Sequence, residues 1–382
     1  MTVLNIGIIG VGSRAKAHLD TIPRLADKYR LAAVCGLTPE RVGQVAKEAG
    51  VNAYTNLEEM LDREQLDVGL INVQPEGHHL IARCLAERKI HVLSETPIAL
   101  TLPCMDAMIE TAKDNNVVLE VSENVPRWPL ERLKQKIVAG GVLGELESFY
   151  LSYRMGSYHG MSAIRAITGR EAVEVTGEFL DEGEVLERAT ITLEGGIRGT
   201  YENKSSGPKF WEIHGTKGSL NAKDLCLAEL TEPLELMTEF SGEERDKVLE
   251  RTVVHTDPPM KWVNPHRHYG LPGADDVACA DALLTLYDAV VDGAPAGYGG
   301  EQARKDMEWL IAVRESATLG GVPVKLPLTG MTEHEKRLHA EFARAHGVEM
   351  LELGPEHVGK RFSLAPGLRD FMYIGRLSKA QQ

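Results

Sequence analysis

Short apolar runs alternate with amphipathic stretches through the first third of the chain. Leu4-Asn5-Ile6-Gly7-Ile8-Ile9 is almost continuously apolar, as a strand buried on both faces requires. A glycine turn and a helix over residues 15–26 follow, then a second apolar run at 31–35. Thr38-Pro39-Glu40 opens the next helix with a capping residue and a proline in its first turn. The alternation continues with strands at 68–71, 91–93 and 117–121 and helices at 79–87 and 102–113. Strands separated by helices of this length predict right-handed βαβ units and a parallel sheet.

From about Val142 the grammar changes. Residues 146–153, 189–193, 197–202 and 210–214 read as strands, separated by turns such as Glu194-Gly195-Gly196 and Thr216-Lys217-Gly218. Consecutive strands without helices between them predict a mostly antiparallel sheet, open on one face. Residues 274–292 and 300–319 are helical by periodicity, and Pro323-Val324-Lys325-Leu326-Pro327 closes this part. Beyond lies a charged extension, 331–382, with a helix expected over 332–346.

Composition narrows the function classes. A chain of 382 residues, 43% of them hydrophobic, is long enough for two domains with cores of their own. No stretch approaches the ~20 consecutive apolar residues of a membrane span. The start lacks the basic, small-residue grammar of a signal peptide, so a soluble cytoplasmic chain with no membrane partner is expected. The five cysteines, Cys35, Cys84, Cys104, Cys226 and Cys279, are scattered without CxxC spacing. That argues against a disulfide framework or a zinc site and for small core residues. A formal charge of −14 argues against nucleic acid as a partner.

The chemistry begins at the first turn. Gly10-Val11-Gly12-Ser13-Arg14-Ala15 matches G-x-G-x-x-A between a strand and a helix. Gly10 would permit the tight turn, Gly12 the approach of a pyrophosphate to the backbone, and Ala15 close helix–strand contact. Residues 1–123 are therefore expected to form a Rossmann domain, in an α/β chain whose residues 124–330 form a second, α+β domain. The carboxylate that would bind an adenosine ribose is due about 20 residues on. Gly36 occupies the slot, and Arg41 either pairs with a 2′-phosphate or is a solvated helix residue. The cofactor is NAD or NADP, with the choice open.

Further motifs follow in order. Pro75-Glu76-Gly77-His78-His79 carries a P-x-x-x-H pattern, and Glu95-Thr96-Pro97 follows the strand at 91–93. Then come Asn124-Val125-Pro126-Arg127-Trp128-Pro129, His214-Gly215-Thr216-Lys217-Gly218 and Arg314-Glu315-Ser316-Ala317. In this order the chain resembles the Gfo/Idh/MocA oxidoreductases over about residues 1–330. The resemblance implies NAD(P)-linked redox chemistry on the CH–OH group of a sugar, cyclitol or related polyol. It also implies a homo-oligomer, dimer or tetramer, joined through the second domain's sheet. Alongside Gly10 and Gly12, the expected cofactor contacts are Ser13, Arg14, Thr38, Arg41, Pro75, His79, Glu95, Thr96 and Asn124.

Two positions depart from that family's pattern. Its Glu-Lys-Pro segment is Glu95-Thr96-Pro97 here, and Thr96 carries no positive charge. Its Asp-x-Gly-x-His segment aligns with Met155 to His159, so the histidine is kept and the aspartate is Met155. Histidine exchanges protons near neutral pH, making His159 the candidate catalytic base, with Tyr158 as a candidate hydroxyl donor and Thr96 as the third candidate. Arg127 would clamp a substrate anion or anchor the chain between domains, and Trp128 adjoins it at the expected substrate site. His266 and His268 read as a polar loop at the substrate mouth or an oligomer contact rather than as metal ligands, and His214 as structural. Arg361, Phe362, Phe371 and Tyr373 suggest that the tail docks on a neighbouring surface. The absent lysine and aspartate also leave room for a redox-neutral lyase, isomerase or hydrolase, or for a cofactor-binding protein without turnover.

Overall fold

A computed structural model describes residues 2–180, 183–243 and 246–360. The chain divides into two compact units, and the division is not contiguous. The first gathers the described residues of Met1–Asn124, Ala278–Arg304 and Phe342–Ser363; the second gathers Val125–Val277 and Lys305–Glu341.

In the first unit, β1 (Leu4–Ile9), α1 (Ala15–Thr21), β2 (Tyr29–Cys35), α2 (Pro39–Ala49), β3 (Asn52–Tyr54), α3 (Leu57–Arg63), β4 (Val68–Ile71), α4 (His78–Glu87), β5 (His91–Ser94), α5 (Leu102–Asn115) and β6 (Leu119–Val121) follow one another. The sheet order is β3-β2-β1-β4-β5-β6, with all pairs parallel, which is the expected Rossmann sheet. Its strands read as apolar runs because helices cover both faces; Ile6, Ile8, Val34, Leu70 and Leu93 are fully buried. The pattern reading misses β3 and α3. The strand is a three-residue edge with one buried side chain, so it carries no apolar run.

Buried polar contacts recruit the later segments to this unit. The carboxylate of Glu120, on β6, accepts from the backbone N–H groups of Gly297 and Tyr298 at 2.8 Å. Tyr29 on β2 donates to the carbonyl of Leu283 at 2.7 Å. His79 Nε2 donates to the carbonyl of Met350 at 2.8 Å, and the Phe342, Met350 and Leu353 side chains are buried. A cut at residues 123 and 330, drawn from sequence, cannot register such contacts.

In the second unit, α6 (Pro129–Ala139), β7 (Leu146–Tyr153), α7 (Tyr158–Thr168), β8 (Ala172–Phe179), β9 (Val185–Leu193), β10 (Arg198–Lys204), β11 (Phe210–Gly215), β12 (Gly218–Asn221), β13 (Asp224–Leu227) and β14 (Leu234–Glu235) follow. β15 (Met237–Ser241), β16 (Val248–Val254) and β17 (Met260–Val263) form a separate antiparallel sheet that the pattern reading does not predict. Helices α8 (Ala274–Val291) and α9 (Gly300–Thr318), strand β18 (Val324–Lys325) and helix α10 (Glu333–His346) complete the chain. The nine-stranded sheet runs β14-β13-β12-β11-β7-β10-β9-β8-β18. It is antiparallel except that β7 and β10 pair in parallel at its centre. Alternation along its strands buries Phe149, Leu151, Ile191, Tyr201 and Ile213 on one face.

Candidate active site

The turn after β1 is tailored to glycine at one position and left open at another. Gly10 has φ +101°, and a Cβ there would lie 2.3 Å from the carbonyl oxygen of Asn72. Asn72 also donates its side-chain amide to the Gly10 carbonyl at 2.8 Å, fixing the turn against the end of β4. At Gly12 the nearest atom to an added Cβ would be Asn72 Nδ2, at 3.9 Å. Nothing in the fold requires glycine at 12, so the residue keeps room beside an exposed backbone. Gly12 and Ser13 are exposed ahead of α1, with N–H groups available to an anion such as a pyrophosphate. The residues fit a dinucleotide.

Arg14, Glu95 and Asn124, each singled out from sequence, meet in one hydrogen-bonded chain. Arg14 Nε donates to Glu95 Oε1 at 3.0 Å, and its Nη2 donates to Asn124 Oδ1 at 2.8 Å. Two partners enter that sequence reasoning overlooks. His18 Nε2 lies 2.5 Å from Glu95 Oε1, and its Nδ1 lies 3.2 Å from Cys279 Sγ. Burial by itself opposes charge on His18, but Cys279 and Glu95 outweigh it and raise its pKa to about 10. Burial also opposes charge on Glu95, yet His18 and Arg14 hold its pKa down to about 2. The pair is a buried imidazolium–carboxylate bridge. A signal for His18 exists: it follows Ala15 by three residues, on the buried face of α1.

Glu95 thus anchors the segment that leads into Thr96. The Thr96 side chain is half-buried, and its hydroxyl makes no hydrogen bond among the described residues. Pro75 and His79 are buried, and the His79 ring is held by the Met350 carbonyl. Thr38 caps α2 in position but without a side-chain cap bond, and Arg41 is exposed one turn on. Gly36 packs between Val11 and Val42, where an added Cβ would lie 3.1 Å from the Val42 side chain.

In the second unit, β7 ends at Tyr153 and a tight loop leads to α7. Met155 has φ +50° and Gly156 φ +77°. His159 sits in the first turn of α7, half-buried, its ring 4.3 Å from Tyr158 and 6.4 Å from Tyr153, centroid to centroid. The helix start is tied down beneath it. Ser157 Oγ lies 2.7 Å from the Tyr201 hydroxyl, which is 3.0 Å from Glu187 Oε1, and Arg314 Nε donates to Glu187 Oε2 at 3.3 Å. All four side chains are buried. Burial raises the Glu187 pKa despite Arg314 beside it. At the other end of α7, Arg165 bridges Glu171 and Asp306. Nothing local in the sequence marks Glu187 or Tyr201, because only strand pairing brings them under α7.

Arg127 is 2% exposed. Trp128 is half-buried and donates from Nε1 to Asp275 at 2.7 Å. His266 and His268 lie at a short 3₁₀ turn, and His214 pairs with Glu212 at 3.3 Å on β11. The expected tail residues Arg361, Phe362, Phe371 and Tyr373 lie outside the described residues.

Residues 4–123 match the profile of an oxidoreductase family with an NAD-binding Rossmann fold, Gfo/Idh/MocA. Over 79% of this chain and 92% of the relative, the sequence is 24% identical to a myo-inositol 2-dehydrogenase of Thermotoga maritima. It is 28% identical to a glycosyl hydrolase family 109 protein of Shewanella woodyi, over 38% of this chain and 33% of that protein. An aldose-aldose oxidoreductase of Caulobacter crescentus shares the fold, with a TM-score of 0.66 at 20% identity, covering 85% of this chain and all of that one.

Proposed function

We propose that this chain, whose residues 4–123 match the Gfo/Idh/MocA oxidoreductases, dehydrogenates a CH–OH group of a sugar, cyclitol or related polyol with His159 as the proton acceptor. The observation that carries the reading is the cradle: Gly10 fits its turn and Gly12 leaves the backbone approachable. When bound, a nicotinamide dinucleotide supplies the hydride acceptor. Gly10, Gly12 and Ser13 would hold the pyrophosphate, and Arg14, Glu95 and Asn124 would set the position of the segment bearing Thr96. Thr96 would hydrogen-bond the ribose or the substrate hydroxyl through its unengaged Oγ1. His159, fixed on α7 by the Ser157–Tyr201–Glu187–Arg314 network, would take the hydroxyl proton. Tyr158 would orient its ring. With glycine at 36 no carboxylate repels a 2′-phosphate, so NAD and NADP should bind within about tenfold of each other.

Supplied with NAD⁺ or NADP⁺ and a polyol panel led by myo-inositol, the enzyme should produce reduced nicotinamide absorbance. His159→Ala should lower kcat by about 10²–10⁴-fold with the circular dichroism unchanged. Unaltered turnover in that variant would remove His159 from the mechanism. Loss of substrate without net reduction would identify the redox-neutral alternative instead. This reaction would take place in the cytoplasm, where a nicotinamide pool supplies the cofactor.

A further inference from the structure

A cavity of about 340 Å³ opens within the second unit, between α6, β11 and the small sheet of β15 to β17. Trp128, Phe210, Trp211 and Phe240 supply aromatic walls. Its buried polar wall is already satisfied: Glu131 accepts from Lys134 at 2.8 Å and from Trp211 Nε1 at 2.9 Å. Trp128 engages Asp275 in the same way. Two further lysines line the cavity, Lys209 and Lys223, and among the described residues neither is ion-paired.

Lys209 connects this cavity to the loop ahead of His159. Its Nζ lies 4.6 Å from the Tyr153 ring centroid and donates to the Met155 carbonyl at 3.5 Å. Tyr153 is, with Tyr158, one of the two rings beside His159. Lys209 is exposed as a residue, and partial desolvation of its ammonium, joined by the nearby charge of Arg154, lowers its pKa. Two cations therefore share the neighbourhood of Met155, the position at which the family pattern carries an aspartate. With methionine where the family pattern carries a carboxylate, nothing at position 155 offsets the charges of Arg154 and Lys209, in a chain of net charge −14. An anion bound near two like charges is stabilised by both.

We infer that the substrate is a sugar or polyol bearing one carboxylate or phosphate, its anion held by Lys209 with Arg154 beside it and its ring against the aromatic wall at Trp128 and Trp211. The inference rests on the dehydrogenase reading for its reaction, but not for its binding. The second lysine, Lys223, would contribute at the cavity rim. Aromatic faces suit the apolar faces of sugar rings, and the charged group supplies orientation.

The test is binding to the full chain without cofactor, measured by tryptophan fluorescence and calorimetry, using D-glucuronate, D-glucose 6-phosphate, D-glucose and inorganic phosphate. At least one anionic sugar should bind about tenfold or more tightly than D-glucose, with affinity falling as salt rises. Lys209→Met should remove that preference and leave D-glucose binding as it was; Arg154→Gln should reduce it. Which of the two anionic sugars binds better identifies carboxylate or phosphate. Equal binding of D-glucose, a preference surviving in Lys209→Met, no binding of either anion, or phosphate binding as well as its sugar ester would each overturn the inference. NADH binding, measured separately by nicotinamide fluorescence, should be retained in Lys209→Met. Its absence from the unaltered protein would defeat the dehydrogenase reading while leaving the cavity experiment interpretable.

Discussion

At the residue scale, the most consequential group is one that carries no motif. His18 and Glu95 form a buried bridge that sets the path of the backbone into Thr96, and their titration ties stability to pH at both ends. His18 is raised in the fold from 6.5 to about 10. Its contribution is therefore complete below about 6.5 and is lost as pH rises through about 10. Glu95 is lowered from 4.5 to about 2, so its contribution is present above 4.5 and is lost as pH falls through about 2. Urea midpoints measured across pH should fall on both sides of neutrality, and His18→Gln should lose the alkaline decline. A midpoint in that variant that still falls between pH 7 and 10 as in the parent would contradict the bridge. Gly10, Gly12, His159 and Thr96 are candidates that spacing alone proposes; Asn72, His18 and Cys279 acquire meaning only through partners 62 to 261 positions away.

Elements differ in how openly their sequences declare them. Strands β1, β4 and β5 are apolar runs because both of their faces are covered, and a run survives any small error of register. β3 and β14 have no such run, since an edge strand of two or three residues buries little. The small sheet of β15 to β17 mixes half-buried and exposed positions, so its alternation is weak. Helix α10 is amphipathic and expected, but the role of its C-terminal end and of residues 347–360 is not. Phe342, Met350 and Leu353 are buried in the first unit, and Arg83 donates to the Leu353 carbonyl there at 2.5 Å. Phe342→Ala should cost about 3–5 kcal/mol by the transfer and cavity terms of a buried aromatic ring. Urea unfolding measures it, and a loss below about 1 kcal/mol would mean that the segment is peripheral to the core.

At the scale of the whole molecule, we propose that the outer face of the nine-stranded sheet joins copies of this chain in a homo-oligomer. Glu212, Tyr150, Thr200, Thr190 and Thr176 stand in register across five strands, polar and partly or fully exposed. Light scattering should give twice or four times the monomer mass, and Thr200→Arg should shift it toward the monomer by placing like charges on a self-facing surface. A monomeric parent protein would end that proposal. Among the described residues no helix is long and apolar enough to cross a membrane. By itself the sequence determined the Rossmann unit, its glycine turn and the change to a sheet of consecutive strands, because those depend on periodicity and on glycine at defined local positions. Only the tertiary structure decided that residues 278–304 and 342–360 join the first unit, that β7 and β10 pair in parallel, and that Lys209 reaches the loop of Met155. Those outcomes turn on contacts between side chains far apart in sequence, and local periodicity carries no record of them.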